Sequence, residues 1–205
     1  MKYNSLALLR LPALPALGLS GNLFQGRLLF PVLALGSLLL LLSCATNGAR
    51  KHFDSGNSLL KQRKLSAAEK EFREAVRLKP DFAEAHFGLG FAIQEQEEYQ
   101  QLAEPEYREA IRLKPNYPEA HYRLGCLLVV ERKYDVAVQE YRKAIRLKPD
   151  YLWAIEELAK TLDGGPIMRR MEARPLWERA LKLEKRSQAI ADIKKRLAEP
   201  DSLGR

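Results

Sequence analysis

The chain has 205 residues, 46% of them apolar and 29% charged, with a formal net charge of +8. That is long enough for one domain and a leader, and its balance of apolar and charged residues excludes a wholly disordered chain. The basic charge is patchy and interrupted by acidic stretches, which argues against the continuous basic surface that nucleic-acid binding needs. The charge is also uneven along the chain. No Asp or Glu precedes Asp54, and residues 1–44 hold only Lys2, Arg10 and Arg27 as cations.

The first predicted element is therefore a leader. After Arg27 the run LLFPVLALGSLLLLL (Leu28 to Leu42) leads into Ser43, Cys44 and Ala45. A basic residue, an apolar run and small residues at its end mark an export signal rather than a fold element. The stretch LLSC resembles the bacterial lipobox. That resemblance implies that residues 1–43 are a lipoprotein-type signal peptide. Cys44 then becomes the first mature residue and carries acyl chains such as palmitate. Several chains hold a protein on its membrane, since each buried methylene contributes roughly 0.8 kcal/mol. The alternative is a single transmembrane helix over residues 28–45, whose length is at the short end of a span. Residues 44–48 then form the lipidated Cys and a short tether, of which Ala45 to Gly48 reach roughly 15 Å when extended.

Downstream, one hexapeptide recurs: RLKPDF (Arg77 to Phe82), RLKPNY (Arg112 to Tyr117) and RLKPDY (Arg146 to Tyr151). The agreement spreads over whole units of 34–35 residues, so FREAVRLKPDFAEAHFGLG (Phe72 to Gly90) lies over YREAIRLKPNYPEAHYRLG (Tyr107 to Gly125). A glycine slot holds Gly56, Gly90 and Gly125, with Ala159 in the last copy. A small residue and an aromatic four apart follow, as Ala68/Phe72, Ala103/Tyr107, Ala137/Tyr141 and Ala173/Trp177. Small residues let two helix backbones approach, and the ring fills the space beside them. In the hexapeptide a cation sits at the helix C-terminus and Pro stops the helix. It closes one hairpin and starts the next.

These residues resemble the tetratricopeptide repeat family. The resemblance implies an all-α fold: a right-handed α–α superhelix of about four helical hairpins, over residues 49–82, 83–117, 118–151 and 152–185. A C-terminal capping helix and tail follow over residues 186–205, with Ala189, Ile190, Ile193 and Leu197 on one stripe. Pro105 and Pro175 fall early in two of the second helices, which are expected to begin late or to bend there.

No residue set points to catalysis. His52, His86 and His121 recur at repeat spacing, too far apart to share one metal ion, and they read as residues that pack the hairpins. HFDS (His52 to Ser55) places consecutive residues on different helix faces. The expectation is a non-enzyme with no cofactor, no metal, no nucleic acid and no small-molecule substrate.

In the family, the first helix of each repeat lines a concave groove. By that resemblance the groove presents Phe53, Asn57, Phe87, Phe91, Tyr122, Cys126, Val129 and Trp153 to a protein or peptide partner. Its apolar rings suit an apolar peptide or an amphipathic helix. Phe53 and Gly88 stand where a carboxylate-gripping groove of this family would have Lys and Asn, and Arg123 alone matches that pattern. Cys126 lies in an apolar helix, where a free thiol acts as a small hydrophobe. The chain thus resembles the repeat-built lipoproteins of bacterial envelopes, lipid-anchored and facing the periplasm. Ala45 after the cysteine favours the outer membrane. The alternative is a cytosolic or single-span adaptor of the same fold.

Overall fold

The computed structural model describes residues 46–96, 102–164 and 170–198. The leader, Cys44 and the tail beyond Ala198 lie outside these. The described residues hold nine α-helices and no strand. They are α1 (46–61), α2 (Leu65–Leu78), α3 (Ala83–Gln94), α4 (Glu104–Leu113), α5 (Pro118–Val130), α6 (Tyr134–Leu147), α7 (Leu152–Gly164), α8 (Arg170–Leu183) and α9 (Ser187–Ala198). Each packs mainly on its neighbour in sequence, so the hairpins α1–α2, α3–α4, α5–α6 and α7–α8 form a stack that α9 closes. No described helix is long and apolar enough to cross a membrane.

The helices follow from the repeat pattern. The second helices are sharply two-faced: α2 buries Ala68, Phe72 and Ala75, and α6 buries Ala137, Tyr141 and Ala144 along one side. The first helices lie deeper; α3 buries eight residues, His86, Gly88 and Gly90 among them. The hexapeptide acts as the punctuation its chemistry demands. Lys79, Lys114 and Lys148 each donate a backbone N–H to the carbonyl four residues back, at 3.0, 2.9 and 2.9 Å. Pro then ends the helix, and Phe82 and Tyr117 become the N-cap residues of α3 and α5.

Ring against glycine is the packing unit. A Cβ added to Gly125 would lie 2.6 Å from Tyr141, and one added to Gly90 would lie 2.9 Å from Tyr107. Phe72 is wedged between two glycines. Added Cβ atoms on Gly56 in its own hairpin and on Gly88 in the next would approach it to 2.8 and 2.6 Å. Phe72, Tyr107 and Tyr141 are fully buried as a result. Burying a large aromatic ring stabilises by about 1.5–3 kcal/mol.

Three details differ from expectation, while the late start of α4 at Pro105 agrees with it. Helix α1 is already formed at Thr46, so the described part of the expected tether, Thr46 to Gly48, is helical rather than extended. Pro105 sits in the first turn of α4, where a missing N–H costs little, and α4 is shorter than α2 or α6. Pro175, by contrast, lies inside α8, which starts five residues before it. Of the capping stripe, Ile193 is buried and Leu197 packs on the core, while Ala189 and Ile190 stay half-exposed.

Candidate partner-binding groove

The first helices α1, α3 and α5 each carry one ring that is packed among others: Phe53, Phe87 and Tyr122. Each rests on two others. Phe53 lies 5.9 Å from the buried Phe72 and 4.9 Å from Phe82. Phe87 lies 5.8 Å from Tyr107 and 5.0 Å from Tyr117. Tyr122 lies 6.2 Å from Tyr141 and 5.2 Å from Tyr151, which in turn meets Trp153 at 6.2 Å. All are tilted pairs at the separations aromatic rings favour. The ladder exists because each hexapeptide ends in a ring that folds back onto the first helix of the hairpin it closes.

These rings floor a groove of about 370 Å³ lined by residues of all four hairpins. Six of the eight residues expected there share it: Phe53, Asn57, Phe87, Phe91, Tyr122 and Trp153. Trp153 is 59% exposed, the freest of the rings. Cys126 and Val129 lie further along α5 and do not line it; both are half-buried against the core. Burial pushes the Cys126 thiol up, which makes it a weak nucleophile.

The residues that sequence reasoning missed are Tyr117, Tyr151, Glu84 and Glu119. The two tyrosines are the hexapeptide's terminal rings, read from sequence only as helix starters. The two acids are already engaged. Glu84 accepts from Lys114 Nζ at 2.7 Å, and that bond first of all holds its carboxyl below the ordinary range. Glu119 pairs more loosely with Lys148 at 3.9 Å. The same lysines lie over Tyr117 and Tyr151, 4.7 and 5.0 Å from the ring centres. Arg123 lies 4.5 Å over Phe91 and pairs with Glu95 at 3.8 Å. The charges at the groove therefore largely neutralise one another, and its floor is aromatic.

The histidines pack the hairpins, as expected. Each points Nδ1 at a glutamate of the second helix: His52 at Glu71 (2.8 Å), His86 at Glu106 (2.7 Å) and His121 at Glu140 (2.6 Å). The glutamate precedes the buried ring in each copy, a regularity visible in sequence. Among the described residues no group of three or more His, Cys, Asp or Glu is placed to hold a metal ion.

Residues 56–97 match the family described as TPR repeat, and residues 118–151 match the tetratricopeptide repeat family. The chain is a tetratricopeptide-repeat protein. Its repeats form the all-α superhelix of that family. Solved structures share the fold. MamA is 25% identical, covering 69% of this chain and 81% of its own, with a TM-score of 0.62. Pseudomonas aeruginosa pilF is 22% identical, covering 74% and 71%, with a TM-score of 0.63. YrrB, described as a TPR protein with an unusual peptide-binding site, is 21% identical, covering 82% and 88%, with a TM-score of 0.61. A comparison with curated protein sequences gives no match.

Proposed function

We propose that this tetratricopeptide-repeat protein is a scaffold of a bacterial cell envelope, held on the membrane by acyl chains on Cys44, whose groove receives an apolar segment of a partner protein. The observation that carries the binding proposal is the aromatic floor built from four hairpins, with its neighbouring acids already paired. Such a surface offers rigid rings as anchors and does not demand a charged ligand. The peptide-binding site named for YrrB, a protein of the same fold, supports this use of the stack. A grip on a C-terminal carboxylate is disfavoured, because Arg123 is stacked on Phe91 and faces Glu95.

The anchor rests on the LLSC stretch and the apolar run before it. Ala45 after the cysteine favours the outer membrane over the inner. A single-span anchor over residues 28–45 is the second reading, and it predicts the same groove. The two separate on Cys44→Ala. With acylation, the variant loses its lipid-dependent gel mobility and leaves the membrane fraction; unchanged behaviour sinks the lipoprotein reading. For the groove, photo-crosslinkers at Asn57 and Trp153, which line it beside the three rings to be replaced, should capture a partner in the envelope. Capture should fall by at least tenfold in Phe87→Ser/Phe91→Ser/Tyr122→Ser, a loss consistent with two or more anchors of about 1–2 kcal/mol each. Undiminished capture by that folded variant would remove the groove from the account.

A further inference from the structure

Two of the junctions between hairpins are closed by a histidine that faces acceptors on both ring nitrogens. His86 of α3 sets Nδ1 2.7 Å from Glu106 Oε2 of α4 and Nε2 3.0 Å from the Pro80 carbonyl oxygen. His121 of α5 repeats this with Glu140 of α6 at 2.6 Å and the Pro115 carbonyl at 3.1 Å. Both imidazoles are buried. The glutamate belongs to the histidine's own hairpin, whereas the carbonyl belongs to the hexapeptide that ends the preceding one. The ring thus ties one repeat to the last.

A neutral imidazole has one N–H donor and one lone pair. Set between a carboxylate and a carbonyl, it must aim that lone pair at another. The arrangement is satisfied only with one further proton. This holds whether the proton rests on the ring or on the carboxyl, since a Glu O–H donating to Nδ1 leaves Nε2–H for the carbonyl. A buried polar group left facing a like partner carries its full desolvation penalty.

The third junction keeps the proline carbonyl but replaces both side chains of this device. Ile155 stands at the histidine position and Leu176 at the glutamate position. The Pro149 carbonyl instead accepts from Arg179 Nη2 of α8. Arginine keeps its charge at every physiological pH.

We propose that the α2–α3 and α4–α5 junctions are proton-dependent hinges, tight while each histidine–glutamate pair holds its extra proton and looser once it is lost, whereas the α6–α7 junction ignores pH. The groups around each hinge are few. His86 faces Glu106 and, further off, Glu109, both on α4, together with the Pro80 carbonyl. Burial opposes its charge, but these acceptors outweigh it and its pKa is raised. His121 faces Glu140, whose second oxygen accepts from Lys143 at 2.8 Å; Lys143 and Arg146 line a surface pocket with His121. His52 pairs with Glu71 at the start of the stack, where no earlier repeat is described, so it closes no described junction.

The test is amide hydrogen exchange of the full chain at about pH 5 and about pH 8, corrected for the chemical exchange rate, with assigned histidine ring nitrogens followed by NMR. Opening of the first turns of α3 and α5 should rise about tenfold or more over this range, while the first turn of α7 stays constant. His86→Ile/Glu106→Leu, which copies the fourth hairpin, should abolish the response at α2–α3 and keep it at α4–α5. Equal pH responses at all three junctions, no response at any, or a response that survives in the variant would overturn the proposal. The NMR arm does not depend on the variant folding. Resonances of His86 and His121 showing the extra proton absent at about pH 5 would overturn it as well.

Discussion

The first three hairpins and the fourth solve one packing problem with different residues. In hairpins one to three a glycine receives a buried Phe or Tyr ring, a His–Glu pair bridges the two helices, and a Lys-Pro step ends the unit. In the fourth, Ala159 faces the larger Trp177, Ile155 and Leu176 stand where the polar pair would be, and no Lys-Pro follows. The turn after α8 is closed instead by Glu184, whose carboxylate accepts the backbone N–H groups of Lys185 and Arg186 at 2.8 Å each. The difference separates two jobs. The ring beside a small residue persists in every hairpin, so it carries the fold. The His–Glu pair is confined to the first three hairpins, an apolar pair takes its place in the fourth, and His86 and His121 also reach the proline carbonyl of the preceding unit.

That comparison can be broken in four ways, largest effect first. Tyr141→Ala empties a fully buried site between α5 and α6. It should cost about 3–5 kcal/mol by denaturant unfolding and loosen the third hairpin. A loss below about 1 kcal/mol would mean that the ring is not the packing unit. Pro175→Ala comes next, with the opposite sign. Proline inside α8 removes a helical hydrogen bond, so the alanine variant should gain up to about 3 kcal/mol. Pro105→Ala, in the first turn of α4, should change stability by only a few tenths of a kcal/mol.

Third, Gly125→Val should cost about 1–3 kcal/mol, because its Cβ meets a buried ring that has nowhere to move. Ala159→Gly should cost about 1 kcal/mol, the helix-propensity difference alone. A cost of about 2 kcal/mol or more for Ala159→Gly, well above the propensity difference, would show that the Ala159 methyl itself fills space in the core. The smallest effect concerns acid. Hydrogen bonds from the Arg186 side chain and backbone hold the Glu184 carboxyl at about 2, below its ordinary 4.5. A lowered folded value means a contribution present above the unfolded value and lost as pH falls through about 2. Helix α9 should therefore keep its NMR-detected helicity well below about pH 4, and Glu184→Gln should remove that acid dependence.

Much of this molecule could be read in the chain. The repeat period, the four hairpins and the small-residue slots are local patterns, and the helix periodicity converts them directly into faces. Six groove residues followed from their place on the first helices. Cys126 and Val129 did not join them, because they lie further along α5, where the side chains turn half into the core. Tyr117 and Tyr151 reached the groove unannounced. Their sequence context shows a helix start, whereas their position depends on how the loop folds back onto the first helix of the hairpin just ended.

The amino-acid sequence by itself determined that the chain folds into helical hairpins and which ring of each second helix lies beside a small residue, since those features rest on neighbours three or four residues away. Only the tertiary structure decided that a proline carbonyl of one repeat would meet the imidazole of the next, or that Lys114 would neutralise Glu84 at the groove. Those contacts depend on the angle between stacked hairpins, and that angle is fixed by how many rings and glycines interlock at once.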